Sequence, residues 1–157
     1  MTTPGCCWPD GPSYGQDVTP TELKDLPISG FDALLGLEFE EVTRDGVTAS
    51  FEVRPDLQQP YGILHGGVLC SVVETVGSVS GAAWYGGGVV GTSNHTNFLR
   101  ATREGRLTAR STPIHRGKTQ QLWDIDITDA DGRLVAKGQL RLTNLTTTDG
   151  LGRSPST

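Results

Sequence analysis

Between Gly66 and Ala83 the chain reads GGVLCSVVETVGSVSGAA, and Glu74 is the one charged side chain in that run. A segment several helical turns long and uncharged on nearly every side needs cover from other elements. A membrane span does not fit, because Ser71, Glu74, Thr75, Ser78 and Ser80 interrupt the roughly 20 predominantly apolar residues that a bilayer requires. Gly77 and Gly81, four apart, lie on one helical face and let another backbone come close. Burying an unpaired ionised carboxylate costs roughly several kcal/mol, a large share of the about 5–15 kcal/mol by which a domain is stable. Glu74 is therefore either a costly accident or the point of the fold.

The preceding segment, LQQPYGILHGG from Leu57 to Gly67, brings a carboxamide, a histidine and two glycines that leave their N–H groups open to approach. Polar chemistry converges on the start and middle of one helix. The macrodipole, roughly half a charge at the helix N-terminus, suits those N–H groups to an oxygen that becomes negative.

Around this helix the chain alternates. Val47, Ala49, Phe51 and Val53 interleave with Thr48, Ser50, Glu52 and Arg54, a half-buried strand reached from Leu37–Val42 through the turn Arg44-Asp45-Gly46. Beyond Gly86–Gly88 the pattern predicts further strands, separated by turns at Arg103-Glu104-Gly105, Arg116-Gly117-Lys118 and Ala130-Asp131-Gly132. Trp123, Ile125 and Ile127 define the buried face of one, and Leu134, Ala136, Gly138, Leu140 and Leu142 that of another. Six strands and one long apolar helix pack most simply as an α+β domain in which a curled antiparallel sheet wraps the helix. Ahead of it, Thr19-Pro20-Thr21-Glu22 has capping-box spacing and starts a short helix through about Leu26, and a second runs from Ser29 to Leu35.

With 157 residues the chain has room for one such domain. The expected division is a loose leader over 1–28, a domain over 29–145 and a disordered polar tail over 146–157. A net charge of −5 argues against a nucleic-acid surface. Cys6, Cys7 and Cys70 form neither a CxxC pair nor an even framework, which fits a reducing cytoplasm, and the first residues lack the basic and apolar regions of a secretory signal. His95 and His115 give no metal signature. Gly77-Ser78-Val79-Ser80-Gly81 is not a nucleophile elbow, because valine holds its centre and it lies within a helix.

The order strand, strand, helix, four strands, together with QPYGILHGG followed by GVLCSVVETVGS, resembles the hotdog-fold acyl-CoA thioesterases of the phenylacetate-pathway (PaaI-like) type. It is most similar to the subgroup with glutamate on the helix, which includes 4-hydroxybenzoyl-CoA, dihydroxynaphthoyl-CoA and enterobactin-pathway proofreading thioesterases. The resemblance covers about residues 30 to 144. It implies that Glu74 is the nucleophile or general base, that the Gly66 N–H receives the thioester oxygen, and that Gln59 is a catalytic glutamine. Ser78 falls where a hydroxyl holds the attacking water or the carboxylate, and His65 supports the glycine turn. The basic turn Arg116-Gly117-Lys118 takes the place of a coenzyme A phosphate site, or is a solvated turn.

The same resemblance implies a homotetramer, a dimer of dimers with active sites between subunits, and no metal or redox cofactor. An aromatic acyl-CoA is the implied substrate, with dihydroxynaphthoyl-CoA of menaquinone synthesis the first candidate. Two other readings stay open on the residues: a hotdog hydratase or dehydratase, although its His-Phe-Pro-Gly or Asp-His loop is missing here, and a non-catalytic acyl-CoA-binding protein.

Overall fold

Wherever the sequence alternates, an antiparallel strand forms. In a computed structural model that describes residues 19–25 and 28–146, the strands are β1 (Glu38–Val42), β2 (Val47–Glu52), β3 (Val89–Phe98), β4 (Arg106–Arg116), β5 (Gln120–Thr128) and β6 (Leu134–Asn144). They make one six-stranded sheet in the order β1-β2-β4-β5-β6-β3, with every neighbouring pair antiparallel. Among the described residues three α-helices accompany it: α1 (Pro20–Asp25), α2 (Gly30–Leu35) and α3 (Gly66–Tyr85). α3 packs against all six strands, the wrapped arrangement that its composition demands. On composition alone it also passes as a membrane span, yet the sheet covers most of it.

Local signals set the boundaries. At α1 the capping box closes in both directions: Thr19 N–H donates to Glu22 Oε2 at 2.8 Å and Glu22 N–H donates to Thr19 Oγ1 at 3.3 Å. α2 stops at Gly36, whose φ of 70° is left-handed and open to glycine without strain. α3 runs two residues past Ala83 before Gly86 ends it in the same way, at φ 74°. The leader before Thr19 with Cys6 and Cys7, the α1 boundary at Leu26, and the tail beyond Thr146 lie outside the described residues.

Val68, Leu69, Val72, Val73 and Val76 of α3 meet Trp123, Ile125 and Ile127 of β5 and Leu140 and Leu142 of β6 in one buried cluster. Each such side chain contributes about 1.5–3 kcal/mol on burial. The room left by Gly77 and Gly81 is taken by side chains rather than by a backbone: Leu140 packs on Gly77, and Leu142 with Gln121 on Gly81.

Two polar positions depart from the expected pattern. Ser50, on the face of β2 that alternation assigns to solvent, is fully buried because the Arg106 side chain lies over it and donates to its Oγ at 2.6 Å. Gln121 is buried in the core and fully used. Its Nε2 donates to Asn144 Oδ1 at 2.5 Å and to Gly81 O at 3.3 Å, and its Oε1 accepts from Trp123 Nε1 at 2.7 Å. Replacing Gln121 by leucine strands two buried polar partners, each worth about 1–3 kcal/mol when unpaired. Urea unfolding of Gln121→Leu is expected to show a loss of about 2–5 kcal/mol; a loss under about 0.5 kcal/mol would mean that water replaces the amide.

Candidate active site

The loop that leads into α3 is closed on itself. Gln58 bridges Leu64, His65 N–H donates to Leu57 O at 2.9 Å, Gln59 N–H donates to Ile63 O at 2.9 Å, and Gly62 turns at φ 69°. This fixes His65 as the N-cap of α3, in extended conformation at φ −69° and ψ 131°. A helix start leaves its first N–H groups without intrahelical partners. His65 answers for two: its Nδ1 accepts from Gly67 N–H at 2.9 Å and its carbonyl accepts from Val68 N–H at 3.0 Å. The ring in this geometry carries its proton on Nε2. No acceptor among the described residues takes the Gly66 N–H. A Cβ at Gly66 would stand 2.7 Å from the Phe98 ring, so any side chain there requires that ring to move.

Two turns further on, Glu74 projects from α3 toward β3, the end strand of the sheet. It is half-buried rather than dry, on the wall of an open cavity of about 560 Å³ shared with Phe31, Asp32, Cys70, Ser78 and Asn94. Its carboxylate lies over β3. Gly91 faces Oε1, and Asn94 Nδ2 approaches Oε2 at 3.5 Å. Asp32 of α2 reaches the same cavity and accepts a hydrogen bond from Thr75 Oγ1 at 2.7 Å.

Not every expected site residue shares that cavity. Glu74 and Ser78 do; His65 lines another, of about 510 Å³, with Leu34, Arg54, Gln58 and Val68, and Phe31 borders both. The Gln59 side chain lines neither. Its neighbour Gln58 lines the His65 cavity and donates from Nε2 to Arg103 O at 2.6 Å. Gly66 and Glu74 are eight residues apart on one helix, about 12 Å at a rise of 1.5 Å per residue.

The basic turn is far from Glu74, beside the last turn of α3. Arg116 packs over the Trp84 ring at 5.8 Å, and its Nη1 donates to Asp45 Oδ1 at 2.9 Å and to Arg44 O at 3.1 Å. Gly117 and Lys118 offer their carbonyls to Asn144 Nδ2, at 3.0 and 3.1 Å, while the Lys118 side chain is exposed.

Sequence reasoning passed over Phe31, Asp32, Cys70 and Asn94. Cys70 alone had a signal, being one turn before Glu74. Phe31 and Asp32 belong to a short helix and Asn94 to a distant strand, and only the fold brings them to the carboxylate.

Comparison with known proteins shows the family. Residues 61–136 match the thioesterase superfamily. The Mycobacterium tuberculosis protein Rv1847 is 46% identical over 120 residues, 73% of this chain and 86% of that protein. Its solved structure superposes with a TM-score of 0.72 over 73% of this chain and 95% of that one. The 1,4-dihydroxy-2-naphthoyl-CoA hydrolase of Escherichia coli is 37% identical over 129 residues, 81% of this chain and 95% of the relative. The thioesterase SAV0944 of Staphylococcus aureus has been solved with a glutamate replaced by alanine and, separately, with a glutamine fifteen positions earlier replaced by alanine. Those structures are 26% and 25% identical to this chain, with TM-scores of 0.68 and 0.67, each over 71% of this chain and 94% of that one. With a wrapped-helix fold in common and a relative 46% identical across 86% of its own length, the chain belongs to the thioesterase superfamily and is a hotdog-fold enzyme of that family.

Proposed function

We propose that the protein hydrolyses an aromatic acyl-CoA, with 1,4-dihydroxy-2-naphthoyl-CoA the first candidate, and that Glu74 does the chemistry. The observation that carries this is the placement of one carboxylate, mid-helix, on the wall of an open cavity of ligand size. Glu74 either adds to the thioester carbon or takes a proton from the water that does. Charge then develops on the carbonyl oxygen, where the unpaired Gly66 N–H is the donor. Such a donor is worth about 3 kcal/mol in the transition state. The C–S bond breaks, coenzyme A leaves as the thiolate, and water completes the free acid. His65 serves by occupying the Gly67 and Val68 N–H groups, and Ser78, one turn beyond Glu74, holds the water or the carboxylate.

A separation of about 12 Å along one helix keeps Gly66 and Glu74 of the same chain from meeting one carbonyl. The reading therefore requires a second copy whose Gly66 faces this Glu74, in a dimer that pairs again to a tetramer. β3 supports it: this ten-residue strand ends the sheet, with one edge that no strand among the described residues pairs, the kind of edge that a partner strand completes. Gln59 stands fifteen residues before Glu74, the spacing of the two residues replaced in SAV0944, which supports a catalytic role for its carboxamide. Lys118, with Arg116 and Gly117, would receive the phosphates of coenzyme A, and the enzyme would work in the cytoplasm.

The Escherichia coli relative supports this substrate, as do Phe31 and Val79, which give the Glu74 cavity apolar wall. A thiol-release assay over aromatic, short aliphatic and long aliphatic acyl-CoAs tests it. Aromatic thioesters are expected to be cleaved at kcat/KM of about 10⁴ M⁻¹s⁻¹ or more. A preference for aliphatic chains would overturn the substrate, and turnover of none would overturn the activity.

A further inference from the structure

The alternation along β3 breaks once. Gly91 pairs with Leu142 and Ser93 with Arg141, so Thr92 is an extra residue, a β-bulge. Residues directly opposite in an antiparallel pair share a face, and Leu142 and Leu140 both point at α3, against Gly81 and Gly77. Before the bulge the helix-facing residues are Val89 opposite Asn144 and Gly91 opposite Leu142; after it they are Asn94 opposite Leu140, Thr96 opposite Gly138, and Phe98 opposite Ala136. Unbroken period two would turn Ser93 and His95 toward the helix and Asn94 away from it. One extra residue thus lets two positions three apart converge on Glu74.

Both positions meet the carboxylate. A Cβ on Gly91 would collide with Glu74 Oε1, and Asn94 Nδ2 is 3.5 Å from Oε2. The Asn94 amide has a defined direction, because Nδ2 donates at 2.9 Å to Cys70 O, which can only accept, while Oδ1 accepts from Thr96 Oγ1 at 2.7 Å. Cys70 is one turn before Glu74, so the same amide ties β3 to the helical turn that carries the carboxylate.

We infer that Asn94 is a positioning residue for the hydrolysis, aimed by the Thr92 bulge at Glu74 Oε2 while the Gly91 gap receives the other oxygen. It holds one carboxylate rotamer in the cavity, and it rests on the reading of Glu74 as nucleophile or base. At 3.5 Å the contact is long, and catalytic hydrogen bonds commonly shorten once substrate is bound.

Asn94→Asp tests this with little change of shape, since it removes the donor and sets a second carboxylate beside Glu74. Asp32, from α2, is the other acidic side chain on that cavity. The expected result is a fall in kcat of about tenfold or more, KM within about threefold, and an acid limb of the kcat/KM profile about one pH unit higher. Gly91→Ala is expected to lower kcat similarly, by displacing the carboxylate, without that shift of the acid limb. Asn97→Asp, which puts the same charge on the outward face of β3, is expected to match wild type in both. Wild-type kcat and pH profile in Asn94→Asp, or a shift of the same size in Asn97→Asp, would overturn the inference. Glu74→Gln assayed in parallel separates the two claims: if it stays active, the role of Glu74 fails, and if it is dead while Asn94→Asp is unimpaired, only the role of Asn94 fails.

Discussion

Glu74→Gln is expected to lower kcat for thiol release by about 10³-fold or more, with KM changed by no more than about threefold. Glutamine keeps the length and shape of the side chain, so the packing against Gly91 is retained and the loss falls on charge. A positioned general base contributes about 10²–10⁴-fold, and a nucleophile that forms a covalent intermediate contributes more, because without it the route itself is lost. KM is expected to hold under the proposal that the apolar wall of Phe31 and Val79, rather than the carboxylate, takes the acyl group. Retention of more than a tenth of wild-type kcat would remove Glu74 from the chemistry. Where the activity is lost as expected, a single turnover of wild type in ¹⁸O water distinguishes the two routes. Only direct attack passes through an anhydride whose hydrolysis can leave label in the Glu74 carboxylate.

The features legible in the sequence are those set by neighbours along the chain. The capping box at Thr19 and Glu22 closes because its members are three residues apart, and Gly36 and Gly86 stop helices because the left-handed conformation suits glycine. The buried faces of β5 and β6 follow from strict alternation, and Gln121 has the same parity as Trp123, Ile125 and Ile127. Parity alone could have placed that amide in the core; its polarity argued the other way until Trp123 and Asn144 supplied its bonds. Ser50 required knowledge of a side chain 56 residues away, Arg106.

The candidate site divides along the same line. Glu74, His65 and Gly66 stand out because a lone carboxylate and a His-Gly-Gly start are unusual in an apolar helix. Asp32 and Asn94 do not, since ordinary polar residues on a short helix and an edge strand carry no local mark. Asn94 is concealed twice over: the Thr92 bulge inverts the face to which period two assigns it. Bulges depend on pairing with another strand, and periodicity in one segment cannot register them.

Two inactive variants are expected to restore each other when combined in one assembly. Glu74→Ala lacks the carboxylate. Gly66→Pro lacks the backbone donor, and proline is tolerated there because Gly66 is the first residue of α3, its N–H bonds nothing among the described residues, and His65 already has the extended conformation that precedes proline. The Phe98 ring has to swing aside, and the melting temperature checks that the variant folds. If each site takes Glu74 from one subunit and Gly66 from the other, a mixed dimer has one complete site and one that lacks both groups. Random exchange makes about half the dimers mixed, so about a quarter of all sites become active. Activity should therefore climb from the level of the separate variants, about 10²-fold or more below wild type, to about a quarter of wild type after co-refolding. If one chain held a whole site, co-refolding would add nothing, since every copy would still lack either the donor or the carboxylate; the 12 Å between Gly66 and Glu74 along α3 makes that outcome incompatible with both groups serving one thioester.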